Sequence, residues 1–189
     1  MLREILERWF PLNDAQWGVL EAHYELLCRW NKVLNLTRIE EPREAAERHY
    51  GESLFLASHL PPGNWRVADI GSGPGFPGFP LAVVRPDCSV ALVESHQRKA
   101  VFLREASRNV SNIRVIARRA EEIQEHFDWV VSRAVSYQDL AKCLPALASN
   151  ASLLTGSEAP PESLGLLWEP PIALPWGNQR LLRVSRGTA

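Results

Sequence analysis

The chain reads Asp69-Ile70-Gly71-Ser72-Gly73-Pro74-Gly75-Phe76-Pro77-Gly78 directly after a short apolar run, and this stretch decides the fold. Glycines at this spacing let the backbone approach a ligand closely, and the following helix presents its N-terminus to the same place. Read literally, residues 73–78 also match GxGxxG, the dinucleotide fingerprint. Pro74 and Pro77 argue against a dinucleotide, because each removes a backbone N–H that a pyrophosphate needs. The stretch therefore predicts a ligand-binding loop.

From residue 65 onward, apolar runs of strand length alternate with amphipathic runs of helix length. The predicted strands are residues 67–70, 90–93, 113–116, 129–132 and 152–154, and the predicted helices are residues 81–84, 97–110 and 139–148. This order predicts an α/β fold with a mostly parallel sheet covered on both faces. In such folds, ligands bind beyond the carboxyl ends of the strands. Residues 164–169 and 180–184 are weaker strand candidates, expected to pair antiparallel at the sheet edge.

The first sixty residues read as helices. Asn13 or Asp14 can cap a helix that runs to about Trp30, with apolar residues at i, i+3 and i+4 on one face. Pro42 suits the first turn of a second helix that reaches about Leu60. The breaker run after it predicts a boundary between a helical cap at residues 1–60 and a compact α/β domain at residues 61–189.

Composition limits the classes of function. The formal net charge of −1 disfavours a protein that coats nucleic acid through bulk charge. Cys28, Cys88 and Cys143 are far apart and the histidines have no metal-ligand spacing, so we expect no disulfide framework, no metal site and a reducing, cytoplasmic location. Charged residues near the start and the lack of a long apolar run predict no signal peptide and no membrane span.

Acidic and basic side chains follow several predicted strands. Glu94 ends the second strand, nineteen residues after Gly75, where a carboxylate can accept both ribose hydroxyls of a nucleoside cofactor. This position suits NAD and S-adenosylmethionine equally, and the alternative is an exposed strand-end acid. Ala120 and Glu121 follow the third strand, where an adenine ring would lie. Arg133 ends the fourth strand, either facing the cofactor pocket or serving as a solvated cap.

Basic residues cluster in one segment of the chain. Residues 98–119 hold seven lysines and arginines against the single acid Glu105, and the stretch after Glu169 adds Arg180, Arg183 and Arg186. Phosphate backbones attract such clusters, although a solvated helix face is an equal alternative on charge alone. The residues predicted to contact RNA are Asn35, Thr37, Arg118, Arg119 and Arg180.

These motifs together resemble the bacterial 16S rRNA (guanine-N7) methyltransferase family, also called glucose-inhibited division protein B or ribosomal RNA small subunit methyltransferase G. The resemblance runs from the first helices to about Val135. The matching segments are Trp30-Asn31-Lys32-Val33-Leu34-Asn35-Leu36-Thr37, Arg48-His49 with Ser53, Asp69 through Pro86, Leu92-Val93-Glu94-Ser95 with Arg98-Lys99 and Phe102-Leu103, Arg119-Ala120-Glu121-Glu122, and Ser132-Arg133-Ala134.

The resemblance implies a Rossmann-like, class I S-adenosylmethionine-dependent methyltransferase behind an N-terminal helical cap. It implies methyl transfer to N7 of one guanine in 16S rRNA or the small ribosomal subunit, by a protein expected to be a monomer. Guanine N7 has a free lone pair, so no catalytic acid or base is predicted, and Arg133 is a candidate orienting residue. The residues predicted to bind the cofactor are Asp69, Gly71, Ser72, Gly73, Gly75, Phe76, Glu94, Ser95, Ala120, Glu121 and Arg133.

Two positions depart from the family pattern. Glu52 stands where the family usually has Asp, and Thr155-Gly156 replaces a Lys-Gly pair after the fifth strand. Loss of the lysine predicts slower methyl transfer, unless Arg180 or Arg183 supplies the charge. Two alternatives therefore stay open: a methyltransferase fold that binds cofactor or RNA but methylates poorly, and a nicotinamide-dependent oxidoreductase that uses the literal GxGxxG.

Overall fold

A seven-stranded sheet forms the centre of the protein in the computed structural model, which describes residues 1–176 and 179–187. The strands at Arg66–Ile70 and Ser89–Val93 are short and mostly apolar, and four of the five residues in each are buried, as expected for strands that are covered on both faces. The strands are β1 (Arg66–Ile70), β2 (Ser89–Val93), β3 (Ile113–Ile116), β4 (Phe127–Arg133), β5 (Ala148–Thr155), β6 (Ile172–Ala173) and β7 (Leu181–Ser185).

The strands lie in the order β3-β2-β1-β4-β5-β7-β6. The first five are parallel, and β7 runs antiparallel to both β5 and β6. The strand order reverses between β1 and β4, which creates the crevice where ligands bind in open α/β sheets. The predicted parallel sheet with an antiparallel edge is confirmed.

The first sixty residues are helical, as predicted. Asn13 caps the long helix α2, because its side chain accepts the N–H of Gln16 while the Gln16 side chain accepts the N–H of Asn13. The helices of this part are α1 (Leu2–Leu6), α2 (Asp14–Leu34), α3 (Pro42–Ala45) and α4 (Glu52–His59), with a π-helical turn at Ala46–Gly51 between the last two. No residue pattern in the sequence predicted that turn.

Four helices cover the sheet: α5 (Gly78–Val84), α6 (Gln97–Ala106), α7 (Tyr137–Ala141) and α8 (Leu144–Leu147). One apolar cluster joins the cap to one face of the sheet and includes Leu20, Tyr50, Phe79 and Phe102. A second cluster lies on the other face, under α7 and α8. Because the cap shares the first cluster, its helices are held directly against the loop that follows β1.

Several predicted boundaries are wrong. The helix predicted at 139–148 is two helices, because Pro145 cannot donate an N–H and its ring disfavours the preceding turn. Helix α6 ends at Ala106 rather than Val110, where the Ser107 hydroxyl bonds back to the carbonyl of Leu103. The amphipathic pattern of residues 97–110 predicts that Val101 faces inward together with Phe102, Leu103 and Ala106, but Val101 is 49% exposed.

The strand predicted at 164–169 is also wrong. This segment begins in a 3-10 helix (Glu162–Leu164), and Gly165 then takes a positive φ of 67°. The short strand beside β7 is β6, which lies beyond the Pro170-Pro171 pair. Prolines cannot donate ladder hydrogen bonds, so the pair delays the strand.

Candidate nucleoside-binding site

The loop between β1 and α5 has almost no backbone donor to offer a ligand. Gly71 and Ser72 donate their N–H groups to the carbonyl of Val93, and the N–H of Gly73 goes to Glu94. Gly75 and Phe76 both donate to the carbonyl of Ser72, and Pro74 and Pro77 have no N–H. A pyrophosphate needs free N–H groups, so this loop does not suit a dinucleotide.

The same loop leaves acceptors and space on its outer side. Gly71 and Gly73 have positive φ angles of 70° and 55°, and the described residues donate no hydrogen bond to either carbonyl oxygen. A Cβ atom at Gly73 would meet only the Gly71 carbonyl oxygen, at 3.9 Å, whereas one at Gly71 would lie 2.5 Å from Val135. The loop can therefore accept hydrogen bonds from a cationic or neutral donor that lies against Gly73.

Asp69 supports the loop from below. It is fully buried, and its Oδ2 accepts the N–H of Gly78 at 2.9 Å, while its Oδ1 has no partner among the residues that the structure describes. Burial raises the pKa of Asp69 to about 7, against the opposing effect of the Gly78 N–H. Asp69 was predicted to bind cofactor, but its side chain lies beneath the loop and outside the cleft.

Glu94 lies at the end of β2 and is 8% exposed. Its Oε2 accepts the N–H of Gly73 at 3.0 Å, and its Oε1 accepts the N–H of His96 at 2.7 Å. The sequence predicts that this carboxylate accepts hydrogen bonds from two ribose hydroxyls. Each oxygen in fact already holds one backbone donor and retains one further lone pair.

A cleft of about 200 Å³ opens beside the loop, at the carboxyl ends of β1, β2 and β3. It brings together five of the predicted cofactor residues and two of the predicted RNA residues: Gly71, Glu94, Ser95, Ala120 and Glu121 with Arg118 and Arg119. Both arginines are exposed at its edge. The cleft is where a nucleoside can meet both the loop and the acid.

The remaining predicted cofactor residues do not line this cleft. Ser72 is buried and donates its hydroxyl to the carbonyl of Asp69. Phe76 is 2% exposed and stacks on His49, with ring centres 4.5 Å apart. Gly73 and Gly75 shape the loop, and Arg133 lies on the side of the loop nearer the cap.

Arg133 is held by two cap residues that the prediction did not place in the site. Its Nε donates to Glu52 at 2.9 Å, and its Nη1 donates to Nδ1 of His49 at 2.9 Å. Arg180, predicted to contact RNA, instead donates to both oxygens of Glu52 at 3.1 Å. In the sequence, the role of His49 and Glu52 was indicated only by the match to the family at Arg48-His49 and by the departure from the family at Glu52.

The other predicted RNA residues in the cap also have local partners. Asn35 is the left-handed C-cap of α2, and it is exposed. The Thr37 hydroxyl lies 2.9 Å from Nε2 of His49, and the Thr37 N–H donates to the side chain of Asn31. Asn35 thus caps α2. Thr37 lies close to Arg133, because its hydroxyl contacts His49, which in turn accepts from Arg133.

Thr155 ends β5 beside an arginine of the edge strand. Nε of Arg183 donates to the Thr155 hydroxyl at 3.2 Å, and Nη2 donates to the carbonyl of Ser157 at 3.2 Å. Arg183 is 6% exposed, and no carboxylate of the described residues lies within ion-pair distance. Of the two arginines considered at the Thr155 position, Arg183 reaches it and Arg180 is bound to Glu52.

A buried histidine fixes the other side of the glycine loop. His23 lies 3.1 Å from the carbonyl of Pro74 through Nε2 and 2.7 Å from the Tyr50 hydroxyl through Nδ1. Burial lowers the pKa of His23 to about 3, so it is a neutral packing residue.

Within residues 1–176 and 179–187, no group of His, Cys, Asp and Glu side chains could hold a metal ion. No helix of that part is long and apolar enough to cross a membrane.

Comparisons with known proteins agree on one family. The family model GidB, described as rRNA small subunit methyltransferase G, matches residues 16–154. The protein named Ribosomal RNA small subunit methyltransferase G from Dichelobacter nodosus is 44% identical over 131 residues, 67% of this chain and 62% of that protein. Its namesake in Desulforamulus reducens is 39% identical over 150 residues, 74% of this chain and 62% of that protein. The chain thus spans about three fifths of these relatives' length.

Two solved structures show the same fold. A SAM dependent methyltransferase from Aquifex aeolicus superposes with a TM-score of 0.61 at 12% identity, covering 80% of this chain and 96% of that chain. A TehB-like SAM-dependent methyltransferase from Corynebacterium glutamicum gives a TM-score of 0.56 at 17% identity, covering 89% of this chain and 99% of that chain. At these identities the likeness establishes the fold alone, and it confirms the predicted class I methyltransferase architecture.

Proposed function

Because the chain belongs to the rRNA small subunit methyltransferase G family, we propose that it transfers a methyl group from S-adenosylmethionine to N7 of a guanine in 16S rRNA. The observation that carries the proposal is the cleft in which Glu94 meets a glycine loop with free carbonyls and committed N–H groups. The substrate is 16S rRNA, alone or in the small ribosomal subunit, and the protein acts in the cytoplasm as a monomer without a metal.

The residues present fit S-adenosylmethionine better than a dinucleotide. The remaining lone pairs of Glu94 can accept the ribose hydroxyls, and the carbonyls of Gly71 and Gly73 can accept the donors of an ammonium group. Ala120 and Glu121 line the same cleft, where the adenine would lie. S-Adenosylmethionine has no phosphate, so it does not need the N–H groups that the loop has already used.

The chemistry needs alignment rather than proton transfer. When bound, S-adenosylmethionine supplies a methyl group on a positively charged sulfur, which leaves with the electron pair of the C–S bond. Guanine N7 attacks with its own lone pair and loses no proton, so the reaction needs no general acid or base. The protein's task is to align N7 with the methyl–sulfur axis and exclude water, an effect worth up to about 7–11 kcal/mol.

Contact with RNA is assigned to the arginines at the edge of the cleft. Arg118 and Arg119 are exposed, line the cleft and lie in the basic segment. A phosphate backbone that crosses this edge would bring a neighbouring base towards the cofactor. Arg183 adds a guanidinium beyond β5, where the family lysine is replaced by Thr155. The exposed arginines at the cleft support the proposal that the protein methylates RNA rather than a small molecule.

The second candidate is a methyltransferase fold that binds cofactor or RNA but transfers methyl groups poorly. The observation in its favour is Thr155 itself, whose hydroxyl has neither the charge nor the reach of a lysine. The nicotinamide alternative is weaker, because the glycine loop lacks the N–H groups that a pyrophosphate binds.

Thermal unfolding with added ligands tests the cofactor assignment. A ligand that binds only the folded protein raises the melting temperature by mass action. We expect S-adenosylhomocysteine to raise it and an equal concentration of NAD to leave it unchanged. A shift with NAD and none with S-adenosylhomocysteine would overturn the proposed function.

A further inference from the structure

One buried carboxylate joins the cap to two separate parts of the sheet domain. Glu52, the first residue of α4, is fully buried and accepts hydrogen bonds from Arg133 at 2.9 Å and from Arg180 at 3.1 Å. Arg133 ends β4, and Arg180 directly precedes β7. The side chains of the two arginines are only 12% and 19% exposed. A single negative charge therefore fixes two guanidinium groups at the carboxyl edge of the sheet.

His49 is a second cap residue that holds Arg133. A guanidinium has no acceptor, so the 2.9 Å contact with Arg133 requires Nδ1 of His49 to be unprotonated. The imidazole proton then lies on Nε2 and points at the Thr37 hydroxyl, 2.9 Å away. Burial lowers the pKa of His49 to about 3, with Arg133 adding to the effect. The ring also stacks on Phe76 of the glycine loop, so it contacts the loop and the arginine together.

The strand register brings Arg133 next to the glycine loop. Ile70 of β1 pairs with Ser132 of β4, so the residues that follow them are Gly71 and Arg133. The hydroxyl of Ser132 donates to the carbonyl of Ile70 at 2.8 Å and locks this register. Among the residues that the structure describes, Nη2 of Arg133 has no hydrogen-bond partner. This donor remains for a ligand.

The arrangement is a costly way to stabilise a fold. Buried ion pairs lose much of their Coulombic gain to desolvation, and apolar side chains of similar size stabilise as well or better. Burial accordingly lowers the pKa of Arg133, opposed by Glu52. The cluster adds little net stability, but its two contacts fix the orientation of Arg133. Orienting this side chain therefore explains the cluster better than stabilising the fold.

Two backbone irregularities lie at the same place. His49 lies in the π-helical turn at Ala46–Gly51, and such turns occur frequently at functional sites. Ala134, the residue directly after Arg133, has a φ of 61°, which only glycine adopts without strain. Strained backbone of this kind clusters at functional sites, where surrounding contacts maintain it.

We propose that His49 and Glu52 are positioning residues that hold the guanidinium of Arg133, so that its remaining donors face the point where cofactor and guanine meet. The inference rests on the proposed function. It assigns a role in the reaction to the cap: the cap sets the orientation of an arginine that the sheet domain contributes. The competing explanation is that the cluster only fastens the cap to the sheet.

The first experiment separates kcat from KM. His49→Phe keeps an aromatic ring against Phe76 but removes the acceptor for Arg133, and Glu52→Gln keeps the size of the side chain but removes its charge and one of its two acceptor oxygens. We expect each variant to lower kcat for methyl transfer to small ribosomal subunits about 10- to 100-fold, with the KM for the subunit nearly unchanged. Glu44→Gln is the matched control, because it removes a surface ion pair with Arg48 on the same helical segment and should leave kcat as in the parent.

A double-mutant cycle shows whether the effect passes through Arg133. Arg133→Gln should lower kcat and weaken S-adenosylhomocysteine binding in calorimetry, and adding His49→Phe to it should cause no further loss. An NMR readout is independent of activity: the Nε–H signal of Arg133 should be protected from exchange in the parent and in Glu44→Gln, but not in Glu52→Gln.

The outcomes separate this inference from the proposed function. Parent-like kcat in both His49→Phe and Glu52→Gln, with an active parent, would overturn the inference and leave the proposed function standing. Additive losses in the cycle would also overturn it, since they would mean that the cluster only fastens the cap. A parent that neither binds S-adenosylhomocysteine nor transfers methyl groups would overturn both.

Discussion

The backbone N–H of Gly73 donates to Oε2 of Glu94 at 3.0 Å, so the acid that ends β2 also fixes the loop that follows β1. The geometry of the loop therefore depends on the same carboxylate that we propose as the ribose ligand. The sequence predicted the acid and the loop separately, but not the contact between them.

Replacement of Glu94 should affect both properties. We expect Glu94→Ala to weaken S-adenosylhomocysteine binding by about 100-fold or more, because two charge-assisted hydrogen bonds to the ribose are lost at about 1.5–3 kcal/mol each. It should also lower the melting temperature of the protein without ligand, since the N–H groups of Gly73 and His96 lose their acceptor. Calorimetry and thermal unfolding measure the two effects. Unchanged affinity would mean that Glu94 does not bind the ribose.

Charge reversal at the edge of the cleft should weaken RNA binding. We expect Arg118→Glu with Arg119→Glu to lower RNA affinity at low salt, with a smaller effect as salt rises, because screened phosphate contacts contribute less. Affinity for S-adenosylhomocysteine should be retained. The matched control is Arg104→Glu with Arg108→Glu, which makes the same charge change on exposed positions outside the cleft. If the Arg118→Glu, Arg119→Glu variant binds RNA at low salt with the affinity of the parent, these arginines are only a solvated surface.

Asp69 should make stability depend on pH. Its pKa is about 7 when folded, above the ordinary value of 3.8, so between these values the folded protein binds more protons than the unfolded chain. The contribution of Asp69 to the free energy of unfolding therefore falls as pH rises from about 4 to about 7. His23 and His49 oppose it, because their lowered pKa values remove stability as pH falls below 6.5.

Asp69→Asn isolates this contribution. The amide oxygen can still accept the N–H of Gly78, but the side chain no longer ionises. Relative to the parent, we expect the variant to gain stability steadily across that pH window, by about 4 kcal/mol at most. Denaturant unfolding at several pH values measures the difference, in which the histidine contributions cancel. A difference that does not change with pH would contradict the assigned pKa.

The positive charge near the end of β5 can come either from Arg183 or from a lysine introduced at position 155. Because Arg183 already reaches the Thr155 hydroxyl, we expect Arg183→Gln to slow methyl transfer about 10- to 100-fold, from the loss of a charge-assisted hydrogen bond. Thr155→Lys in that background should restore much of the rate, whereas Thr155→Lys alone should change little, since it brings two cations together. A faster single variant Thr155→Lys would show that the parent lacks the charge, as the sequence alone suggested.

Replacement of Ala134 by glycine should stabilise the folded protein. Its φ of 61° costs an L-residue about 1–2 kcal/mol that glycine does not pay, so Ala134→Gly should raise the free energy of unfolding by roughly 0.5–1 kcal/mol after the entropy cost of glycine. Ala22→Gly, at an exposed position inside α2, should instead lower it by about 1 kcal/mol. Denaturant unfolding compares the two. A loss in both variants would contradict the strain at Ala134.

Much of the fold was predictable because strands such as β1 and β2 are short apolar runs between strong breaker residues. The errors came where local patterns compete. Val101 lies between residues of the buried face of α6, and only the packing of the helix decided that it points outward. Residues 164–169 have strand-like composition, but the proline pair after them and the left-handed Gly165 prevent a regular strand, although the N–H of Glu169 still donates to the carbonyl of Val184 in β7.

The candidate site was predictable where one segment supplies it and unpredictable where distant segments meet. The loop and Glu94 could be predicted because each follows a strand, and parallel strands end at one edge. Arg180 was assigned to RNA, yet its partner Glu52 lies 128 residues earlier in the chain. No residue spacing in a single sequence reports such a contact, so the Glu52 cluster required the structure.

The most direct test of the central claim is transfer of a labelled methyl group from S-adenosylmethionine to small ribosomal subunits that lack the modification. After digestion of the RNA to nucleosides, we predict label in 7-methylguanosine alone, and none when NAD replaces the methyl donor. Binding of S-adenosylhomocysteine without any labelled nucleoside would contradict the account and favour a binding protein, and label in another nucleoside would contradict the N7 assignment.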